Sequence, residues 1–481
     1  LTDAEFCYVL DELQYYLSLH TSYSSIRLSA ADGVWFSDSL IDVQTTNALK
    51  DYVAVLANDP SRQQDWHPND NSCVLNLIDP SLFPLIYSRS MLCLQTTTSP
   101  QAALSPAVPG EFPGSAKKWS EILSKSGYYV PTIRYCSNSC ESRWFSWLPS
   151  EFRVDDNGAV TIESYINNLH LVKHAAFYPI IASVFSRFVP LLEQVVTDLV
   201  HPRQPRVVPS RDKYYTSDEP MPENDIEEWK EAATFVPPQP EPFITPERPI
   251  NPYNLRGRRL QAIVKLSNVE LTDKRPIYGG QDWDLSGTAN ECIIATGIFF
   301  YDVTNIAESS IEFRESFSPW DFEADHLDED TISRVYGIDK EDMENGEPLS
   351  QEIGGVDIKD GRCLVFPGVF QHKMPGFELV DKSKPGHCKM LAFYVVDPST
   401  RIPSTEIVPP QQQDWLLEEL LGFEPFRSLP RLIVDGIMDR VSFPILLKEA
   451  KKIRLEKENQ YKHILLDASQ HIFEPCYDNT C

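Results

Sequence analysis

The stretch YGGQDWDLSGTANECIIATGIFFYD, residues 278–302, decides how the chain is read. Tyr278-Gly279-Gly280 reads as a tight turn, and a polar approach runs through Asp284-Leu285-Ser286. From Glu291 an apolar run rich in β-branched and aromatic residues predicts a buried strand. Four more short runs of the same character accompany it: LQAIVKLSNVEL (260–271), SIEFRES (310–316), RCLVFPGVF (362–370) and CKMLAFYVVDP (388–398). Several turn-bounded strands without long helices between them predict a sandwich or barrel of jelly-roll, cupin-like type over residues 260–405, within an α+β chain.

Outward from this core the character changes. Residues 1–201 read as a mainly helical region. TTNALKDYVAVLAND spaces Leu49, Tyr52, Val53 and Leu56 as one helix face. Asn157-Gly158 marks a hairpin, and from Glu163 a helical pattern runs to about Val200, where Pro179 and Pro190 are expected to kink or divide it. Residues 202–259 are a proline-rich wrapping segment: 202–252 hold twelve of the 38 prolines, with Trp229, Phe235, Phe243 and Tyr253 as anchors. An insert at 321–347 carries eleven acids against two bases and reads as a solvated loop; it lacks the spacing and turn glycine of a calcium loop. Residues 406–481 form a helical extension, in which SFPILLKEAKKIRLEKENQYKHILLD offers Ser442 as cap and Pro444 near the first helical position. Its apolar stripe points to core or to a homodimer surface.

The chain has 481 residues, 42% of them hydrophobic, ample for a large core. A net charge of −27 repels phosphate backbones and anionic membrane surfaces, so nucleic acid and membrane are not expected partners. No run of about 18 apolar residues predicts a membrane span. LTDAEFCYVLDELQYYLSLH carries acids, begins no signal peptide and reads as a helix capped by Thr2 or Asp3. Ten scattered cysteines fit reduced thiols and a cytoplasmic protein. Cys136 and Cys140 form a lone CxxxC without the second pair a zinc site needs. His67, His170 and His174 read as helix surface or interface, because the glutamate of a metalloprotease helix is absent. No nucleophile elbow, phosphate loop or dinucleotide fingerprint is present.

Residues two apart on a strand share a face. Asp284 and Ser286 are therefore side by side at a strand mouth, and His372, in CLVFPGVFQHKMPGFEL, follows an apolar strand and a turn. KPGHCKMLAFYVVDP then opens another strand. Over nearly its whole length the chain resembles the fungal family DUF4246. The likeness runs through DWHP with DPSLFPLIYSR, WLPSEF, SYINNLH, LRGRRLQAIVKLSN, NECIIATGIFFYDVTNI with IEFR, VFPGVFQHKMPGFELVDKSKPGH and VDPSTRIPSTEIVPPQQQDW. The resemblance implies a double-stranded β-helix carrying the His-x-Glu…His iron triad of 2-oxoglutarate oxygenases, with an arginine for the co-substrate carboxylate. This chain departs at those positions. With Trp283 and Gly287 fixing the register, the family histidine falls on Asp284, the glutamate on Ser286 and the arginine on Cys388, with Lys389 beside it; only His372 matches.

A serine hydroxyl is a poor third ligand, and cysteine cannot fork a carboxylate. The changes together predict loss of the iron chemistry. The expected function is a metal-independent, non-oxidative cyclase or isomerase (Diels–Alderase-like) acting on a small molecule in fungal secondary metabolism, with no cofactor. Its candidate catalytic residues are Asp284, Ser286, His372, Lys389 and Lys265, and Trp283, Glu291, Phe299, Tyr301, Gln371 and Cys388 are expected to line the pocket. Two alternatives stand beside it. One is an Fe(II)/2-oxoglutarate oxygenase using Asp284 and His372 with a third ligand such as Glu291 or Asp282. The other is a non-catalytic partner of an active oxygenase.

Overall fold

The computed structural model describes residues 2–22, 25–59, 63–67, 73–87, 89–93, 140–202, 252–316, 351–438, 440–441 and 443–474, with Lys125 and short pieces between 215 and 249. The acidic insert 321–347, most of the proline-rich segment, Cys136 and Ser442 lie outside the described residues. The helices used below are α1 Asp3–Ser22, α2 Val43–Ala57, α3 Tyr178–Val200, α4 Gln413–Leu420, α5 Arg431–Met438 and α6 Leu447–Ala468. The strands are β1 Trp35–Ser37, β2 Val74–Ile78, β3 Ser150–Val154, β4 Val160–Ile162, β5 Arg259–Leu271, β6 Ile277–Gly280, β7 Ile293–Thr304, β8 Ser310–Glu315, β9 Gln351–Asp357, β10 Cys363–Pro367, β11 Gln371–Lys373, β12 Pro375–Glu378 and β13 Gly386–Val396.

Helix and antiparallel sheet are mixed in this α+β chain. The large sheet runs β1-β10-β7-β13-β5-β2, with β3 joining the start of β5 and pairing β4 through the Asn157-Gly158 turn. Gly158 takes φ +87°, the left-handed conformation that makes glycine the residue of choice there. A smaller layer pairs β6 with β12 and orders β9-β8-β11. An isolated bridge between Asp284 and His372 joins these two pieces. From β5 to β13 the chain passes back and forth between the large sheet and the smaller layer.

Two cores result, one on each face of the large sheet. Ala262, Val264, Leu266, Phe299, Tyr301, Phe393 and Val395 pack against α2 and α3. Ile263, Val269, Ile298, Phe300, Leu364, Phe366 and Tyr394 pack against Tyr278, Ile311, Phe313 and Phe377 of the smaller layer. With both faces covered, β5, β7 and β13 read as near-continuous apolar runs rather than alternating ones. Gly297 faces α3, and a Cβ there would lie 2.8 Å from the Phe188 ring.

Among the described residues of 1–201, β1 to β4 extend the large sheet beside the helices α1 to α3. Two local expectations need correction. The helical pattern from Glu163 becomes a helix only at Tyr178, with Pro179 in its first turn, where the missing N–H costs nothing, and Pro190 inside it. Before it, Asn167 and Asn168 turn their amides onto the carbonyls of Asp79, Leu82 and Phe83, giving the chain an alternative to helix. Finally, α6 begins at Leu447 with Leu446 at its N-cap, after Pro444 rather than on it. Helix α3 is long and apolar enough to cross a membrane, with mean hydropathy 1.4, but 67% of that window is buried against the sheet, as in a core helix.

Candidate active site

Asp284 and His372 exchange both backbone hydrogen bonds, each 2.9 Å. Directly opposed residues in an antiparallel pair project to the same face, with Cβ atoms about 5 Å apart. That face is the interior one, because Phe313, opposite His372 on β8, belongs to the inter-layer core. The residues one step away project outward. Trp283 lies between Arg314 (4.6 Å) and Lys373 (4.5 Å). The Gln371 amide accepts from Arg314 Nε at 2.7 Å and donates to Ser469 Oγ at 3.0 Å. Trp283 and Gln371 therefore do not line the interior with Asp284; they hold the chain end that follows α6.

His372 sits under Phe366, ring centroids 4.9 Å apart. Burial pushes its pKa down; Asp284 opposes that shift and Lys265 adds to it. Its Nδ1 is buried and has no hydrogen-bond partner among the described residues. Lys265, on β5 opposite Ala392, has the parity of Ile263 and so faces the same interior. Tyr394 joins them: burial raises its pKa, Lys265 lowers it, and Asp284 and Asp79 raise it. Ser286 is 4% exposed and accepts the Thr296 hydroxyl at 2.6 Å.

Helix α6 closes the group, and the sequence reading did not place it there. The Tyr461 hydroxyl lies 2.6 Å from Asp284 Oδ1 and 2.8 Å from the Leu285 carbonyl, with one proton to give, and accepts from the Leu285 N–H at 3.2 Å. One turn earlier Lys457, 6% exposed, lies 4.4 Å over the Trp147 ring and 3.9 Å from Glu291 Oε1. One turn before that Arg454 bonds Asp65 and Asp79, the latter at 2.9 Å. Positions 450, 453, 454, 457 and 461 share one helix face, apolar at Ala450 and Ile453 and polar at Arg454, Lys457 and Tyr461. The apolar part of that stripe packs as core, with Ala450 and Ile453 against Leu82, Phe83, Phe145 and Ile445, and its polar part lies over the interior.

The remaining candidates fall elsewhere. Phe299 and Tyr301 face α3 in the other core, where the Tyr301 hydroxyl bonds Asn268 at 2.9 Å. Lys389 has the same outward parity. It is fixed at 2.7 Å to Asp302, which Lys50 (2.8 Å) and His387 (2.9 Å) also approach. Burial would raise the Asp302 carboxyl, but the hydrogen bonds from Lys389 and Lys50 and the charge of His387 bring it down to about 2. Cys388 faces the inter-layer core, but six residues along β13 from Tyr394, about 20 Å away. It is fully buried, and burial pushes its thiol up to about 12. Glu291 is fully buried and spends its carboxylate on structure: Oε1 accepts the Trp147 N–H at 2.7 Å, and Oε2 the Thr288 N–H at 2.7 Å and hydroxyl. Asp282 is exposed and caps Trp283. His170 and His174, expected on a helix surface or at an interface, are buried, against Trp415 and Tyr52 respectively.

The donor set does not fit Fe(II) with 2-oxoglutarate. Asp284 and His372 are adjacent, but Ser286 is bonded to Thr296 and Glu291 is engaged in its cap. Among the described residues no three His, Cys, Asp or Glu side chains come together as a metal site. At the position where the resemblance expects the co-substrate arginine stands Cys388, a buried thiol pushed up to about 12.

The sequence profile of DUF4246, described as a protein of unknown function, matches residues 3–419. The chain belongs to this family. The DUF4246 match ends before α6, so Lys457 and Tyr461 come from outside it. No curated protein matches the chain. Among solved structures, it is similar to the Fe(II)/α-ketoglutarate-dependent dioxygenase TqaL at 11% identity and TM-score 0.24, over 77% of this chain and 96% of that one. A bsmA homolog from Methylobium petroleophilum (8%, TM-score 0.19) and IDO from Bacillus thuringiensis (10%, TM-score 0.17) match 30% and 29% of this chain. The chain spans less than half the length of those two, 44% and 46%. Likenesses this distant do not bear on the chemistry.

Proposed function

We propose that this chain is a metal-independent, non-oxidative catalyst, a cyclase or isomerase of a small organic molecule, on a double-stranded β-helix of oxygenase type. The observation that carries the reading is the pairing of Asp284 with His372 on one interior face, closed by Tyr461, where a third metal ligand is replaced by the engaged hydroxyl of Ser286. The alternation of strands between two layers supports the barrel.

Burial keeps His372 neutral near pH 7, and its unpartnered Nδ1 can accept or return a proton. Asp284 stabilises the imidazolium formed when it does, and Tyr461 holds that carboxylate in place. In an isomerisation, His372 takes a proton from the carbon next to a carbonyl, the electron pair moves to oxygen, and His372 returns the proton at another carbon. The changes at the two carbons cancel, so there is no net oxidation or reduction and no oxidant is needed. In a cyclisation the enclosed face holds the chain in its reactive conformer, and a donor to the carbonyl lowers the barrier.

The test is untargeted mass analysis of a small-molecule extract incubated with chelator-treated protein under nitrogen. The reading expects depletion of a compound and appearance of an isobaric product, lost in His372→Ala. Conversion only with Fe(II), 2-oxoglutarate and oxygen, with gain of one oxygen atom, would contradict it.

A further inference from the structure

We propose that Lys457 receives the oxygen of the substrate, and that the substrate is a neutral, planar, conjugated carbonyl compound lying against Trp147 and Tyr394. The inference rests on the small-molecule reading above and names its substrate class.

Lys457 is 94% buried, yet among the described residues its ammonium makes no hydrogen bond. The nearest carboxylate oxygen, Glu291 Oε1, is 3.9 Å away and already accepts from Trp147. An ammonium has three donors and no acceptor, and a buried cation is normally paired and hydrogen-bonded. The Trp147 face under it, at 4.4 Å, offers attraction but accepts no conventional hydrogen bond. These donors are the feature of the site that nothing else in the fold uses.

The surroundings choose the ligand's charge. Burial pushes the Lys457 pKa down, and the acids Glu291, Asp79, Glu458 and Asp284 oppose that shift. Asp79 is bonded to Arg454, but Glu291 and Asp284 hydrogen-bond no cation among the described residues, so a carboxylate or phosphate would add charge beside them, whereas a neutral carbonyl accepts a hydrogen bond without adding any. The rings choose the shape. Trp147 and Tyr394 stand 5.2 Å apart, tilted by 45°, and rings of this kind favour a flat conjugated partner. The Trp147 indole is held by its Nε1–H to Ser81 at 3.1 Å, so the surface is preformed. Asp284, bound to Tyr461 one turn along α6, places the proton-transfer pair beside this donor.

The probes are 2-acetylnaphthalene and 2-naphthoate, alike in ring and differing in charge, titrated calorimetrically into the full chain. The expected result is that the neutral ketone binds about tenfold more tightly than the carboxylate or better, and that Lys457→Met lowers ketone affinity by about tenfold or more. Equal or tighter binding of the carboxylate, no binding of either, or an unchanged ketone affinity in a folded Lys457→Met protein would overturn the proposal. The ranking on the unaltered chain needs no variant, so a Lys457→Met protein that fails to fold leaves the test decisive. The chelator experiment above does not involve this ranking, so the two readings fail separately.

Discussion

Replacing Arg454 with methionine should loosen the helix that closes the site. Arg454 is 4% exposed and is held by Asp65 through both terminal nitrogens and by Asp79 at 2.9 Å. Burial would lower its pKa, but the two carboxylates more than reverse this, and it is raised overall. Methionine keeps much of the volume and leaves two largely buried carboxylates facing one another. Lys451, 3.7 Å from Asp65, offsets part of that for Asp65, while among the described residues Asp79 retains only the Ser81 N–H as a hydrogen-bond donor. Breaking a buried pair from one side costs about 3–5 kcal/mol. With an unfolding entropy of roughly 1 kcal/mol/K for a chain of this size, the melting midpoint should fall by about 3–5 °C. Amide exchange should rise selectively along α6. Adding Asp65→Asn and Asp79→Asn should recover part of the loss, because no unpaired charge then remains. A midpoint within about 1 °C of the unaltered protein, with α6 protection unchanged, would refute the reasoning that these charges hold the helix over the interior.

Three further outcomes follow from the same geometry. Tyr461→Phe removes the donor at 2.6 Å from Asp284 and should destabilise by about 1.5–3 kcal/mol in urea titration; with that carboxylate less compensated, the His372 ring should titrate at higher pH by proton NMR. Gly297→Ala drives a Cβ to 2.8 Å from Phe188 and should cost about 1–3 kcal/mol by the same titration. The Asp302 carboxyl is lowered from 3.8 to about 2 by its cationic neighbours, so its contribution is present above 3.8 and is lost as the pH falls toward 2. Asp302→Asn should flatten that part of the stability profile, and an unchanged acid limb would show that the cluster is not coupled to folding.

Much of the strand core was legible, because β5, β7, β8, β10 and β13 are rich in β-branched and aromatic residues and bounded by turns. The Asp284 and His372 pair was legible from spacing and resemblance together. Which face each residue took was not. The large sheet is apolar on both sides, so alternation gives no sign of inside or outside, and shifts of register in β7 beside Ala295 and Asp302 move the parity again. Phe299, Tyr301 and Lys389 were misplaced for that reason, and Trp283 and Gln371 missed the interior by a single residue. Lys457 and Tyr461 escaped notice because EKENQYKH reads as a solvated helix surface. Their partners Asp284 and Glu291 lie more than 160 residues earlier, and no local pattern reports such a contact.

The central claim, that the iron chemistry has been lost from this site, is tested most directly by anaerobic titration of the metal-stripped protein with Fe(II) and 2-oxoglutarate, following the visible charge-transfer band of the ternary complex. The account predicts no saturable band from protein that is folded by circular dichroism. A band saturating at one equivalent, lost in His372→Ala, would contradict it and make Asp284 and His372 working ligands.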